Sequence, residues 1–312
     1  MQSLIIISGP TASGKTALGI ELAQRIGGEI VSGDSMQIYR GMDIGTAKPT
    51  IAERAAAVHH MIDIADIQTP FSVSEFIRLA SECIDDISSR KKVPILVGGT
   101  GMYIRMLTSG RFFEADGANA ELREELYAFA AQNGAEALHA RLEELDPRSA
   151  SEIHPNNIKR VIRAIELASF GTTKSELADS VSECASPYRT LHLHLTCADR
   201  AAIYQNCDIR VDKMLDEGLL SEVQTLCERG LRQTPTASQA IGYKEFYGYF
   251  DGLMTLDDAT ALVKQHTRNY VKRQMTYFTK FDDRVIFDIS STDRSEVLAR
   301  ALEISKEFLA DD

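Results

Sequence analysis

At 312 residues, with 44% hydrophobic and 25% charged side chains, the chain has the makeup of an ordinary globular protein with length for about two domains. No apolar run approaches the ~20 residues of a membrane span, and the N-terminus enters a strand-like run with no basic leader, so neither targeting nor anchoring is expected. Five scattered cysteines without a C-x-x-C pair argue against a disulfide framework or a zinc site and for a reducing cytoplasm. A net charge of −11 argues against a nucleic-acid partner only if it is evenly spread, and it is not.

Leu4-Ile5-Ile6-Ile7 reads as a buried strand and Ala17 to Ala23 as an amphipathic helix. Between them lies Gly9-Pro10-Thr11-Ala12-Ser13-Gly14-Lys15-Thr16, the G-x-x-x-x-G-K-[ST] pattern in the strand, loop, helix setting that cradles phosphates. Its glycines allow the backbone N–H groups to turn inward, and the helix N-terminus adds partial positive charge. The candidate phosphate binders are therefore Gly9, Thr11, Ala12, Ser13, Gly14, Lys15 and Thr16, with Lys15 neutralising oxygens and Thr16 offering a hydroxyl to Mg²⁺. Alone, the loop promises a nucleotide and γ-phosphoryl chemistry.

Glu29 to Ser32 reads as a second strand, which places Asp34 at its carboxyl end, in the crevice where open α/β sheets bind ligands. A carboxylate there serves as a magnesium ligand, a general base or merely the cap of an Asx-turn. Arg40 to Pro49 reads as an ordered loop over the site, and Ser72 with Glu75 as a capping box opening a helix to about Ser89. Pro94 to Val97 is a buried strand that runs into Gly98-Gly99-Thr100 without an acid. Nucleotidases commonly hold magnesium with an acid at that point, so its absence weakens the ordinary nucleotidase reading.

From about Glu114 to Glu183 the patterns are helical, including Leu122-Leu126-Phe129 and Leu138-Leu142-Leu145. In the helix following His154, a stripe of Ile158, Ile162 and Ile165 leaves Lys159, Arg160 and Arg163 outside it. A solvated surface and a contact to nucleic-acid phosphates both fit that face. Thr190 to Leu195 alternates as a strand, with His192 and His194 expected to be partly exposed. Asp199 is the expected N-cap of a helix carrying Arg210, and a further helical pattern spans Ser238 to Phe250. A long helix from about Asp257 to Phe281 interleaves bases with Tyr270, Tyr277 and Phe278. Cations beside stacking faces suit looped RNA, while the alternative is aromatics in the core and solvated lysines. Val285 to Asp288 and Ser295 to Phe308 close the chain as strand and helix.

Together these stretches resemble the bacterial tRNA dimethylallyltransferases. The matching pieces are Gly9 to Thr16, Asp34 to Pro49, Val97 to Thr100, Ile153 to Asn156 with Arg160 and Arg163, Gln239 to Tyr243, and Lys272-Arg273-Gln274, in family order. The resemblance implies an α/β fold, a P-loop NTPase-like doubly wound parallel sheet with an inserted all-helical domain and a helical C-terminal part. The expected divisions are 1–113 and 186–312 for the core with its C-terminal RNA-binding helices, and 114–185 for the insertion. The family moves a dimethylallyl group from dimethylallyl pyrophosphate to N6 of the adenosine next to the anticodon, at position 37, in tRNAs reading codons that begin with U. By that resemblance Asp34 is the general base and Thr100 positions the site, while Lys15, Ser13, Thr16 and Arg210 hold the pyrophosphate with Mg²⁺. Asp34, Ser35, Met36, Gln37, Gly101, Arg123, Lys159, Arg160, Arg163, Arg268, Lys272, Arg273 and Gln274 are implied to hold the tRNA anticodon stem-loop. No membrane is implied, and a monomer in the cytoplasm is expected. Two positions depart from the family pattern: Asn206 stands where an arginine is usual, and Tyr277 where a tryptophan is. An ATP-dependent kinase of a nucleoside or small alcohol, and an RNA-binding module switched by a nucleotide, remain as alternatives.

Overall fold

The computed structural model describes residues 1–109, 119–176, 179 and 186–311. The chain forms two compact units, one of Met1–Thr108 with Pro187–Asp312 and the other of Ser109–Ser186.

The first unit is built on six strands: β1 (Gln2–Ser8), β2 (Gly28–Ser32), β3 (His59–His60), β4 (Val93–Gly98), β5 (Tyr188–Thr196) and β6 (Val285–Asp288). All pairings are parallel, in the order β3-β2-β4-β1-β5-β6. Parallel strands need crossovers, and helices on both faces then bury both sides of each strand, which explains the unbroken apolar runs of β1 and β4. Alternation divides β1 between two cores. Leu4 and Ile6 pack toward the helices Val73–Ser89 and Gly101–Thr108, whereas Ile5 and Ile7 pack toward α1 (Lys15–Ile26) and the C-terminal helix Arg294–Ala310. The doubly wound sheet is thus as the sequence implies, and its carboxyl ends gather the glycine-rich loop, Asp34 and Thr100 in one crevice.

Three local expectations are corrected. The segment 238–250 is no single helix: 3₁₀ turns at Ala237–Gln239 and Lys244–Phe246 precede a short helix, Tyr247–Phe250. Gly242, at φ +92° between the turns, breaks the helical run. His192 and His194 are only 7% and 4% exposed, because the Ser8 hydroxyl at the end of β1 lies 2.6 Å from Nε2 of one and 2.8 Å from Nδ1 of the other. A buried polar group without such a partner would carry a large penalty. Phe278 is buried against His194 and Phe281, so it belongs to the core and offers no face to RNA.

The second unit is helical: Ala120–Asn133, Ala135–Leu145, Pro147–Glu152 and Ile158–Ser169. Leu126, Leu138, Leu142, Val161, Ile162 and Ile165 form its core, while Leu145, expected on the apolar stripe, is 48% exposed at a helix end. Glu166 is fully buried and pairs with both Arg123 and Arg163.

Candidate active site

The glycine-rich loop owes its shape to close approach. At Gly9, φ +148°, a Cβ would lie 2.4 Å from the Leu195 carbonyl oxygen of β5, so only glycine lets the two strands' ends meet. Ala12 and Gly14 also take positive φ, turning the backbone before α1 begins at Lys15. The Ser13 hydroxyl is buried without a hydrogen-bond partner among the described residues. Such an orphan group normally finds a ligand or water.

Two cations converge here. Lys15 donates to the Pro10 carbonyl at 2.6 Å. Burial, and then the neighbouring Arg210, pull its ammonium down from 10.5 to about 7, against a smaller opposing pull from Asp34. Arg210 comes from the helix Arg200–Asp216 and is likewise lowered by burial, with Asp34 opposing. Neither is in an ion pair with an acid among the described residues, in contrast to Arg268, which forks onto Asp208 at 2.6 and 2.8 Å. Half-buried like charges held together with no acid in an ion pair to either suit an anionic ligand.

Asp34 reconciles two of its readings. Its Oδ1 accepts from the N–H groups of Met36 (2.8 Å) and Gln37 (3.3 Å), which is the Asx-turn. Its Oδ2 has no partner among the described residues and is left for a ligand. Thr100 Oγ1 accepts from Ser35 N–H at 3.3 Å, tying the end of β4 to the same turn. Two cavities meet at Asp34. One is lined by the loop and by Arg210 and Tyr270, with Lys15 and Thr16 in its wall; the other also touches Arg210 and Tyr270 but adds Ser35, Met36, Gly242 and Arg273.

Some residues implied as RNA contacts are used inside the protein. Gln274 is 5% exposed; its Oε1 accepts from Thr11 N–H (2.9 Å) and its Nε2 donates to the Gly99 carbonyl (3.0 Å), so it clasps the glycine-rich loop to the end of β4. Gln37 Nε2 donates to the Thr46 and Ala47 carbonyls, pinning the loop over the crevice. Gly101 is packed under Tyr277, where a Cβ would lie 2.4 Å from the ring. Lys272 and Arg273 are exposed on the helix Leu256–Phe278, near the Tyr204 and Tyr270 rings. In the second unit Lys159 and Arg160 are exposed, while Arg123 and Arg163 are committed to Glu166. Tyr270, read in the sequence only as a stacking face, lines both cavities, and burial pushes its hydroxyl well up.

Among the described residues no cluster of three or more His, Cys, Asp or Glu side chains is arranged for a metal. The donor set beside the loop, one Thr16 hydroxyl and the Asp34 carboxylate, fits a magnesium ion held mainly by phosphate oxygens and water.

Fold and site define an α/β protein with a cationic glycine-rich loop facing a carboxylate at the end of β2. The family model described as IPP transferase matches residues 37–281, and the chain belongs to that family. It is similar to the tRNA dimethylallyltransferase of Geobacillus thermodenitrificans (strain NG80-2), 46% identical over 296 residues, 95% of this chain and 93% of that one. A second relative of the same name, from Exiguobacterium sp. (strain ATCC BAA-1283 / AT1b), is 48% identical over 286 residues, covering 92% and 90%. Among solved structures it resembles the tRNA isopentenylpyrophosphate transferase of Bacillus halodurans, with TM-score 0.75, 40% identity and coverage of 100% and 98%. It also resembles a eukaryotic dimethylallyltransferase acting on tRNA, with TM-score 0.84, 28% identity and coverage of 100% and 80%.

Proposed function

We propose that this protein transfers the dimethylallyl group of dimethylallyl pyrophosphate to N6 of adenosine 37 in tRNAs reading U-starting codons, releasing pyrophosphate. The observation that carries this reading is the pair of cations without acid partners, Lys15 and Arg210, facing a carboxylate with a free oxygen where two cavities meet. In the transfer the allylic C–O bond breaks and its electrons leave with the pyrophosphate. Lys15, Arg210 and the loop N–H groups stabilise that departing charge. The adenine amine is a weak nucleophile because its lone pair is delocalised, and Asp34 Oδ2 takes its proton as the N–C bond forms, a contribution of ~10² to 10⁴. Magnesium held at Thr16 and the phosphates would supply further charge to the leaving group. Thr100 fixes the turn that carries Asp34. Arg273 and Lys272 offer charge to the RNA backbone on the second cavity's side, and Lys159 and Arg160 do so in the helical unit. The protein acts as a cytoplasmic monomer in this reading; among the described residues no helix is long and apolar enough to cross a membrane. Incubation with unmodified tRNA, labelled dimethylallyl pyrophosphate and Mg²⁺ tests it: label in the RNA supports the reading, and phosphoryl transfer from ATP to a small alcohol without RNA labelling overturns it.

A further inference from the structure

The loop around Gly45 and the turn at 240–244 are distant in sequence, yet one carboxylate joins them. Glu222, on the helix Leu219–Glu228, accepts at Oε2 from the N–H groups of Asp43 (3.0 Å) and Ile44 (2.8 Å), and at Oε1 from that of Gly45 (3.1 Å). The Tyr243 hydroxyl donates to the same Oε1 at 2.7 Å. Successive N–H groups converging in this way form an anion nest, here filled by the protein's own carboxylate. The Tyr243 ring is fully buried, and a Cβ on Gly45 would lie 2.5 Å from it. Burial, and then the Glu222 charge, push the Tyr243 hydroxyl well up, so it stays protonated and donates.

The loop walls both cavities, with Gly45 and Thr46 also on the one that holds Arg273, whereas the turn walls only that one. Thr46, Ala47 and Pro49 line the cavity that holds Lys15; Gln239, Ala240, Ile241 and Gly242 line the one that holds Arg273. The turn is fastened onward, with Gly242 N–H donating to Glu245 Oε2 at 2.9 Å and Glu245 Oε1 lying 2.7 Å from His266 Nδ1 on the helix of Tyr270 and Gln274. We infer that Glu222, with Tyr243, is a positioning residue for the transfer, setting the donor-side loop and the acceptor-side turn as one wall so that binding of both substrates depends on it. This rests on the prenyl-transfer reading above.

All four groups meeting Glu222 are donors. In Glu222→Gln, an isosteric change, the new NH₂ must face at least one N–H, whichever way the amide is turned. Tyr243→Phe keeps the ring on Gly45 and removes one bond. The test is steady-state kinetics of both variants with labelled dimethylallyl pyrophosphate and unmodified tRNA, beside thermal melts. The expected result is that Glu222→Gln raises KM for both substrates about tenfold or more with kcat within about threefold, and that Tyr243→Phe raises them about two- to fivefold. A purely structural role would lower the melting temperature and the active fraction while leaving each KM unchanged, and that result overturns the inference. If Glu222→Gln fails to fold, the KM values of Tyr243→Phe decide. Absence of RNA labelling by the unaltered protein would instead refute the functional reading, so the two failures are distinguishable.

Discussion

Lys15 makes binding of the pyrophosphate group depend on pH. In the crevice its ammonium is lowered to about 7 by burial and by Arg210. A bound anion reverses that pressure and moves the group back toward its ordinary 10.5. The sign follows from linkage: the occupied state has the higher pKa, so above pH 7 binding takes up a proton, and affinity falls as pH rises until the bound-state value is reached. With a value of about 7 before binding, the factor (1 + 10²)/(1 + 1) gives about a fiftyfold loss of affinity between pH 7 and pH 9. Isothermal titration calorimetry with inorganic pyrophosphate and Mg²⁺, repeated in buffers of different ionisation enthalpy, counts the protons. Lys15→Met supplies the blank for the ligand's own titration. The unaltered protein should take up about 0.9 proton more than the variant at pH 8. Equal uptake by the two, or an affinity difference that does not change from pH 7 to pH 9, would refute the argument.

Asp34→Asn should keep tRNA binding and lose about 10² or more in turnover; near-normal single-turnover rates would remove Asp34 as the base. Lys159→Ala with Arg160→Ala should lower the slope of log affinity against log salt by about one per lost phosphate contact, as read by filter binding across a salt series. Arg163→Ala should behave differently, lowering the melting temperature of the helical unit as well, because it removes one of the two cations on the buried Glu166 and leaves Arg123 with the Asn119 N–H; an unchanged melt would show that those two suffice. His192 and His194 are held neutral by burial, at about 3 and about 4. The unfolded chain therefore binds more protons below pH 6.5, and stability should fall by on the order of 2 kcal/mol per histidine between pH 6.5 and pH 5. Urea denaturation of the protein and of His194→Gln at the two pH values measures this, and identical losses would clear His194 of the effect.

What was legible in the sequence is what local pattern encodes. The glycine-rich loop between a strand and a helix, Asp34 at a strand end, and the N-caps at Ser72 and Asp199 are each set by neighbours in the chain, although the Glu75 half of the expected capping box goes to Arg78 instead. What was not legible depends on partners brought from afar. Ser8 decides the burial of two histidines 184 and 186 residues away. Gln274 reads as one more polar residue on a basic helix until Thr11 and Gly99 are beside it. Arg163 reads as a free cation because Glu166, one turn on, gives no sign of being buried. The strand β3 and the helix Ile51–Ala56 lie in a stretch too short and irregular for periodicity, although the Thr50 and Glu53 capping box was a usable signal for the helix. Glu222 looked like any solvated acid, since the N–H groups it serves belong to a loop 177 to 179 residues earlier.

The central claim is that the loop grips a leaving group, so that carbon moves and phosphorus does not. A donor carrying one label in the dimethylallyl carbons and another in the pyrophosphate phosphorus tests this directly with unmodified tRNA. The expected result is carbon label on the RNA, at the adenosine beside the anticodon, with all phosphorus label in free pyrophosphate in equal amount. Phosphorus label on the RNA, or pyrophosphate released without carbon transfer, would contradict the account.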